Sequence, residues 1–100
     1  MSKPFYVEAL ETGDPELLKH MQSLQAFASQ DGALSAKVKT LMAMFGDAIL
    51  NHPDGVKVIA DRARAQGASE AEIAETVRMA FLFAGLPGLV TATHAFRRQE

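Results

Sequence analysis

Gly46-Asp47-Ala48-Ile49-Leu50-Asn51-His52-Pro53-Asp54-Gly55 joins two segments of strongly helical character and gathers polar groups beside apolar ones. Pro53 decides how the chain runs here. Its ring disfavours helical geometry at His52 and it has no amide to donate to a preceding turn, so the helix entering this stretch must finish near Leu50 or Asn51. The same proline, with φ already set, suits the first position of a new helix, and Asp54 falls in that helix's positive first turn. Two helices meeting at a sharp polar turn are the unit from which the rest of the chain is read.

Working back toward the amino terminus, Ser35 is a capping residue with Leu34 placed to pack against the turn that follows. Val38, Leu41, Met42, Phe45 and Ile49 then recur at helical spacing as the expected buried stripe, with Lys37 and Lys39 lying off it in solvent. Before that, Asp14-Pro15-Glu16 reads as the start of another helix. Leu17, Leu18, Met21, Leu24, Phe27 and Ala28 form its stripe, and Gln30-Asp31-Gly32 its end. Residues 1–13 hold Phe5, Tyr6, Val7 and Leu10, too few apolar groups to fold alone, and are expected to be an ordered arm beside a helical domain of residues 14–100.

Working forward, Val56, Ile59, Ala60 and Ala63 should face inward until Gly67 closes the third helix. Ser69-Glu70-Ala71-Glu72 is a capping-box pattern that opens a fourth, continued by Ile73, Val77, Ala80, Phe81 and Ala84. The acidic run Glu70, Glu72, Glu75 reads as a solvated face with Arg78 following. Gly85-Leu86-Pro87-Gly88 should interrupt, and residues 89–98 resume as a last helix. Nothing alternates with a period of two, so the fold class is all-α, a bundle of about five helices.

One hundred residues suit one domain, and a chain this short buries only about 60–65% of the surface its unfolded form exposes. Hydrophobic residues make up 48% of it, and Met79 to Phe96 carries no full charge. That is more apolar surface than a small monomer hides, which predicts a homo-oligomer whose interface completes the core. The net charge of −2 and scattered basic residues, apart from Arg97-Arg98, argue against nucleic acid as a partner. No apolar run reaches membrane-spanning length without interruption and no leader pattern opens the chain, so no membrane is expected and a cytoplasmic location is. Cysteine is absent, which removes disulfides, thiolate nucleophiles and thiolate metal sites together.

The order Asp14-Pro15-Glu16-Leu17, Ala33-Leu34-Ser35-Ala36-Lys37-Val38-Lys39, Ala65-Gln66-Gly67-Ala68-Ser69 with Glu72-Ile73, and Phe83-Ala84-Gly85-Leu86-Pro87-Gly88 resembles the carboxymuconolactone decarboxylase family over roughly residues 14–96. The resemblance implies the alkylhydroperoxidase D-like helical bundle, usually a trimer or hexamer with helices packed across subunits. Thiol-active relatives carry Glu-x-x-x-Cys-x-x-Cys-x-x-x-His. Counted back from Gly67 with the family's spacing, those four positions fall on Ala48, His52, Gly55 and Ile59. None is retained, so thiol peroxidase chemistry is excluded, and Ile59 cannot transfer a proton.

His52 is the foremost candidate for chemistry: it sits at the interhelix turn, in the place of a reactive cysteine, and carries an imidazole, the side chain most often used as a general acid or base. Asp47, five residues earlier, could fix its tautomer, and Asn51 adjoins it. The structural alternative is that His52 or Asn51 merely caps the following helix. His94, on the most apolar segment, is the third candidate, able to reach toward His52 from the same or another chain, while His20 reads as surface. The histidines share no short metal-ligand spacing, and no motif calls for a cofactor. Met21, Met42, Met44 and Met79 read as core or interface filler.

Two functions from different classes follow. One is an acid/base enzyme acting on a small oxo acid or lactone, with catalytic residues His52, Asp47 and His94, for which Arg62 and Arg64 are the only nearby guanidiniums to hold a departing carboxylate. The other is a non-catalytic oligomeric scaffold or small-ligand binder that kept the fold and lost the family's reactive groups.

Overall fold

The structure is a computed structural model that describes residues 3–97. Among them every regular element is helical: α1 (Phe5–Gly13), α2 (Pro15–Ser29), α3 (Ala36–Ile49), α4 (Pro53–Ala65) and α5 (Glu70–Ala92), then a 3-10 turn at Thr93–Ala95. Two compact units divide the chain, Met1–Gln30 and Asp31–Glu100.

In the first unit the segment expected as an arm is helical from Phe5, with no buried residue. Asp14 ends it and starts the next helix, its carboxylate accepting from the Leu17 amide at 3.0 Å. On α2 only Leu18 is buried, whereas Leu17, Leu24 and Phe27 are exposed. The periodicity identified the stripe, and the chain by itself leaves most of it open to solvent.

The second unit is α3 packed against both α4 and α5, with the 3-10 turn against α4 and α5. Each helix begins at the residue its sequence marks. Ser35 accepts from the Val38 amide at 3.1 Å, and Ser69 and Glu72 close the reciprocal box at 3.1 and 2.8 Å. α4 ends in a left-handed Gly67, where the Ala68 amide bonds the Ala63 carbonyl and the Gly67 amide the Arg64 carbonyl.

The inward face of α4 is as its spacing predicts: Val56, Ala60 and Ala63 are sealed and Ile59 packs against them. α3 differs. Leu41, Phe45 and Ile49 pack against the core, but Val38 and Met42 are exposed and the sealed side chains are Thr40, Met44 and Ala48. A helix held between two neighbours buries a second line, which a single amphipathic stripe does not describe. Thr40 is accommodated because its hydroxyl donates to the Ala36 carbonyl at 2.9 Å. On α5, Ile73, Val77 and Ala80 are sealed while Phe81 is exposed.

The expected four-residue interruption shrinks to one. Gly85 alone leaves helical geometry, at φ 67° and ψ −157°, a region essentially closed to residues with a side chain. Helix resumes at Leu86, which places Pro87 at the second position of the new segment, where no amide is needed. The last helix is correspondingly shorter than residues 89–98: it gives way to the 3-10 turn after Ala92, and Arg98 lies outside the described residues.

The acidic run is not simply a solvated face, and Lys37 is not simply solvated. Glu72 meets Lys37 at 2.9 Å, linking α5 to α3. Glu70 takes both oxygens to Arg64, at 2.7 Å from Nε and 2.8 Å from Nη2. The Arg64 side chain is only 8% exposed, and it also donates to Asp61 at 2.9 Å and to the Ala95 carbonyl at 2.7 Å. One planar fork thus ties the end of α4, the start of α5 and the 3-10 turn. The hydrogen bonds from Arg64 hold the Glu70 carboxyl below its ordinary range, and the Ser69 amide, with Lys37, does the same for Glu72.

Replacing Gly85 by alanine is expected to cost about 1–3 kcal/mol, read from urea unfolding midpoints. Both glutamates favour the fold in their charged form, a contribution fully present above the ordinary glutamate value of 4.5 and lost as pH falls through their lowered folded values. Thermal midpoints should therefore decline with acidification below about pH 4.5, and less steeply in Glu70→Gln and Glu72→Gln variants.

Candidate functional site at the α3–α4 turn

α3 unwinds through a compact set of backbone bonds. The Leu50 amide reaches the Gly46 carbonyl at 3.1 Å, the Asn51 amide reaches Ala48 at 3.2 Å, and the His52 amide reaches Asp47 at 2.8 Å. Asn51 takes a left-handed φ of 62°, which asparagine tolerates better than other residues with a side chain. That reversal folds His52 back toward the helix it has just left. Its Nδ1 lies 3.4 Å from Asp47 Oδ1, with the imidazole side chain 60% exposed and the carboxylate 26% exposed.

The separation is longer than an ordinary N–H···O bond, and the pair is half in water, so it contributes little to stability. Its effect is orientational. A carboxylate beside Nδ1 favours the tautomer with its proton there and leaves Nε2 as the basic nitrogen, directed away from Asp47. His52 occupies the N-cap position of α4, yet its side chain makes no capping bond, and neither does Asn51 cap this helix. The ring is therefore not engaged in the structural role that would otherwise account for it.

Asp47 is held from its other side by Gly55. A Cβ on Gly55 would meet Asp47 Oδ2 and approach its Cγ to 2.9 Å, so the missing side chain is what lets the carboxylate lie over the first turn of α4. The negative charge there faces the positive end of the helix. Asn51 is anchored differently: its Oδ1 accepts from the hydroxyl of Thr91, a buried residue near the end of α5, at 3.1 Å. Thr91 stands forty residues away in sequence, and no local pattern pointed to it.

His94 is placed elsewhere. It lies on the 3-10 turn, half-buried, and lines a hollow of about 490 Å3 with Asp54, Lys57, Asp61, Arg64 and Arg97. Asp47 and His52 do not line that hollow. Of the three candidates, the structure brings Asp47 and His52 together and leaves His94 in a separate depression. The two arginines considered for a departing carboxylate are placed as follows: Arg62 is exposed, and Arg64 makes four hydrogen bonds to Glu70, Asp61 and the Ala95 carbonyl. His20 is on the surface. Among the described residues no three histidine or carboxylate side chains converge as metal ligands.

The positions corresponding to the thiol motif can now be placed. His52 and Gly55 open α4, Ile59 packs against the core, and Ala48 is sealed within it. Two of the four places thus hold apolar packing where the motif has ionisable groups.

None of the curated proteins matches the chain. Among solved structures, it is similar to apo-lpg0406, a carboxymuconolactone decarboxylase family protein from Legionella pneumophila, with a TM-score of 0.84 and 30% sequence identity over 90% of this chain and 80% of that one. The sequence profile of the carboxymuconolactone decarboxylase family matches residues 15–98, a span that contains every element from α2 to the 3-10 turn. The chain therefore belongs to the carboxymuconolactone decarboxylase family.

Proposed function

We propose that the Asp47–His52 pair is a general acid/base site that moves a proton on a small oxo acid or lactone, with His52 Nε2 as the carrier and Asp47 orienting the ring. The observation that carries the reading is the approach of Asp47 Oδ1 to His52 Nδ1 at 3.4 Å around an imidazole that is exposed and makes no cap. Family membership supplies the substrate class as a matter of resemblance only. Proton transfer at carbon is the step supported; for loss of carbon dioxide, the one mostly buried guanidinium among the described residues, Arg64, already makes four hydrogen bonds to Glu70, Asp61 and the Ala95 carbonyl.

The proposal includes a homo-oligomer, a trimer or hexamer, located in the cytoplasm. Support comes from the unit's exposed side chains. Met42, Met79 and Phe83 are all exposed, Phe83 to 69%, around a groove of about 530 Å3 in which Phe45 and Phe83 meet edge to face at 5.8 Å, and Leu82 is exposed as well. A cysteine-free chain needs no oxidising compartment.

A histidine-resolved NMR titration in the presence of small oxo acids and lactones tests the site. The His52 resonance is expected to respond to one of these ligands, and His52→Ala to abolish its turnover with the oligomer unchanged. Retained turnover in that variant, or a His52 signal indifferent to every ligand, would favour the scaffold reading instead. Gly55→Ala should displace the Asp47 carboxylate and lower turnover by about tenfold, within the range general acid/base groups contribute, while leaving the helical circular dichroism intact. In native mass spectrometry the wild-type chain should run as a trimer or hexamer and Phe83→Glu as smaller species; a wild-type monomer would rule the assembly out.

A further inference from the structure

Asn51 does more than a helix end requires. A left-handed residue after α3 could as well be glycine, because the conformation and the backbone bonds need no side chain. Here the side chain is present and its oxygen is held from forty residues away: the buried Thr91 hydroxyl donates to Oδ1 at 3.1 Å. With Oδ1 taken up by Thr91, Nδ2 is the end of the amide left to meet a ligand. Nδ2 donates to no partner among the described residues, and Asn51 is exposed. The result is an oriented amide donor, immediately before the imidazole in sequence and on the same turn.

We infer that Asn51 is the carbonyl-binding group of this site, its Nδ2–H donating to the oxygen of an enolisable ketone or lactone whose adjacent carbon faces His52, with Thr91 as the residue that positions it. The inference rests on the acid/base reading above and narrows its substrate to compounds with a carbonyl next to an acidic C–H. In the step, His52 Nε2 accepts the proton from that carbon. The C–H electron pair becomes the C=C bond of the enolate, and the carbonyl π pair moves to oxygen, where the amide donor meets the new negative charge. A donor fixed before the reaction stabilises that charge without having to reorient. The three residues then divide the work: Asp47 orients, His52 takes the proton, and Asn51 receives the charge.

The probe is 4-oxopentanoate labelled with 13C at its keto carbon, observed in deuterated water with the full chain. Binding should move the keto resonance downfield, as hydrogen bonding to a carbonyl does, and the hydrogens beside the carbonyl should exchange. Asn51→Gly keeps the backbone geometry and Asn51→Asp keeps an acceptor for Thr91, but both lack the donor. In each the keto shift should vanish and exchange fall on the order of 10²-fold, the size of a single lost oxyanion donor. The His52 resonance should still respond to the ligand in Asn51→Gly. Thr91→Val should weaken the keto shift with the fold intact, and Thr91→Ser restore it.

A keto shift and exchange rate unchanged in Asn51→Gly would overturn the inference. If His52→Ala abolishes exchange while Asn51→Gly does not, the proton-transfer reading stands and only Asn51's role falls. If neither the keto carbon nor His52 responds to saturating 4-oxopentanoate, both fall together.

Discussion

The second compact unit depends on how closely α3, α4 and α5 approach, and that approach depends on alanine. Ala48, Ala60, Ala63, Ala68, Ala80, Ala92 and Ala95 supply most of its sealed core, with Met44, Val56, Ile73 and Val77 as the larger members. A buried methyl contributes about 0.8 kcal/mol, against about 1.5–3 kcal/mol for a fully buried larger side chain. Helices that meet through methyl groups can pack tightly, but they seal little apolar area for each residue ordered. Several of the larger side chains of the same unit therefore stand at its surface, and Phe81, Leu82, Phe83 and Leu86 form an exposed run along α5. The same choice of small residues that permits the fold also leaves large apolar side chains in solvent.

Polar contacts then fix what the thin core alone leaves loose. Arg64 gathers Glu70, Asp61 and the Ala95 carbonyl, so the 3-10 turn is tied to the junction of α4 and α5 instead of trailing from α5. Thr91 and Asn51 make the second long-range link, between the end of α5 and the α3–α4 turn. Both links run to the segment beyond Gly85. The one-residue break is what redirects α5 so that Thr91 and Ala95 reach those partners, and Gly88, Thr91 and Ala92 become buried on its far side.

At the turn itself, chemistry and packing have been exchanged. A thiol site would need ionisable groups on the core-facing side of α4, and this chain places Ile59 there and Ala48 opposite. Its polar groups are instead displaced toward solvent: Asp47 half-buried, His52 and Asn51 exposed. A reaction built on them would use a hydrated base with its orientation supplied by neighbours. It would not use a desolvated nucleophile.

What the sequence determined by itself is mostly what depends on neighbours within about four residues, although the helix at Phe5–Gly13 and the one-residue extent of the break at Gly85 were not read from it. Asp14, Ser35, Ser69 with Glu72, Pro53 and Gly67 mark helix ends because caps, boxes and proline geometry are local, and each lies where its pattern places it. The inward face of α4 was legible for the same reason, and so was the family; the five-residue spacing of Asp47 and His52 made their meeting conceivable, and the left-handed turn at Asn51 brought it about. Tertiary structure alone decided which second line of α3 is sealed, since that depends on two neighbouring helices at once. It also decided that Arg64 is consumed by Glu70 and Ala95, that Thr91 reaches Asn51, and that His94 lies in a hollow apart from His52. Those contacts join residues six to forty positions apart; Glu70 is reached across the α4–α5 junction, and Ala95 and Thr91 through the direction α5 takes after Gly85, a geometry that local pattern does not encode.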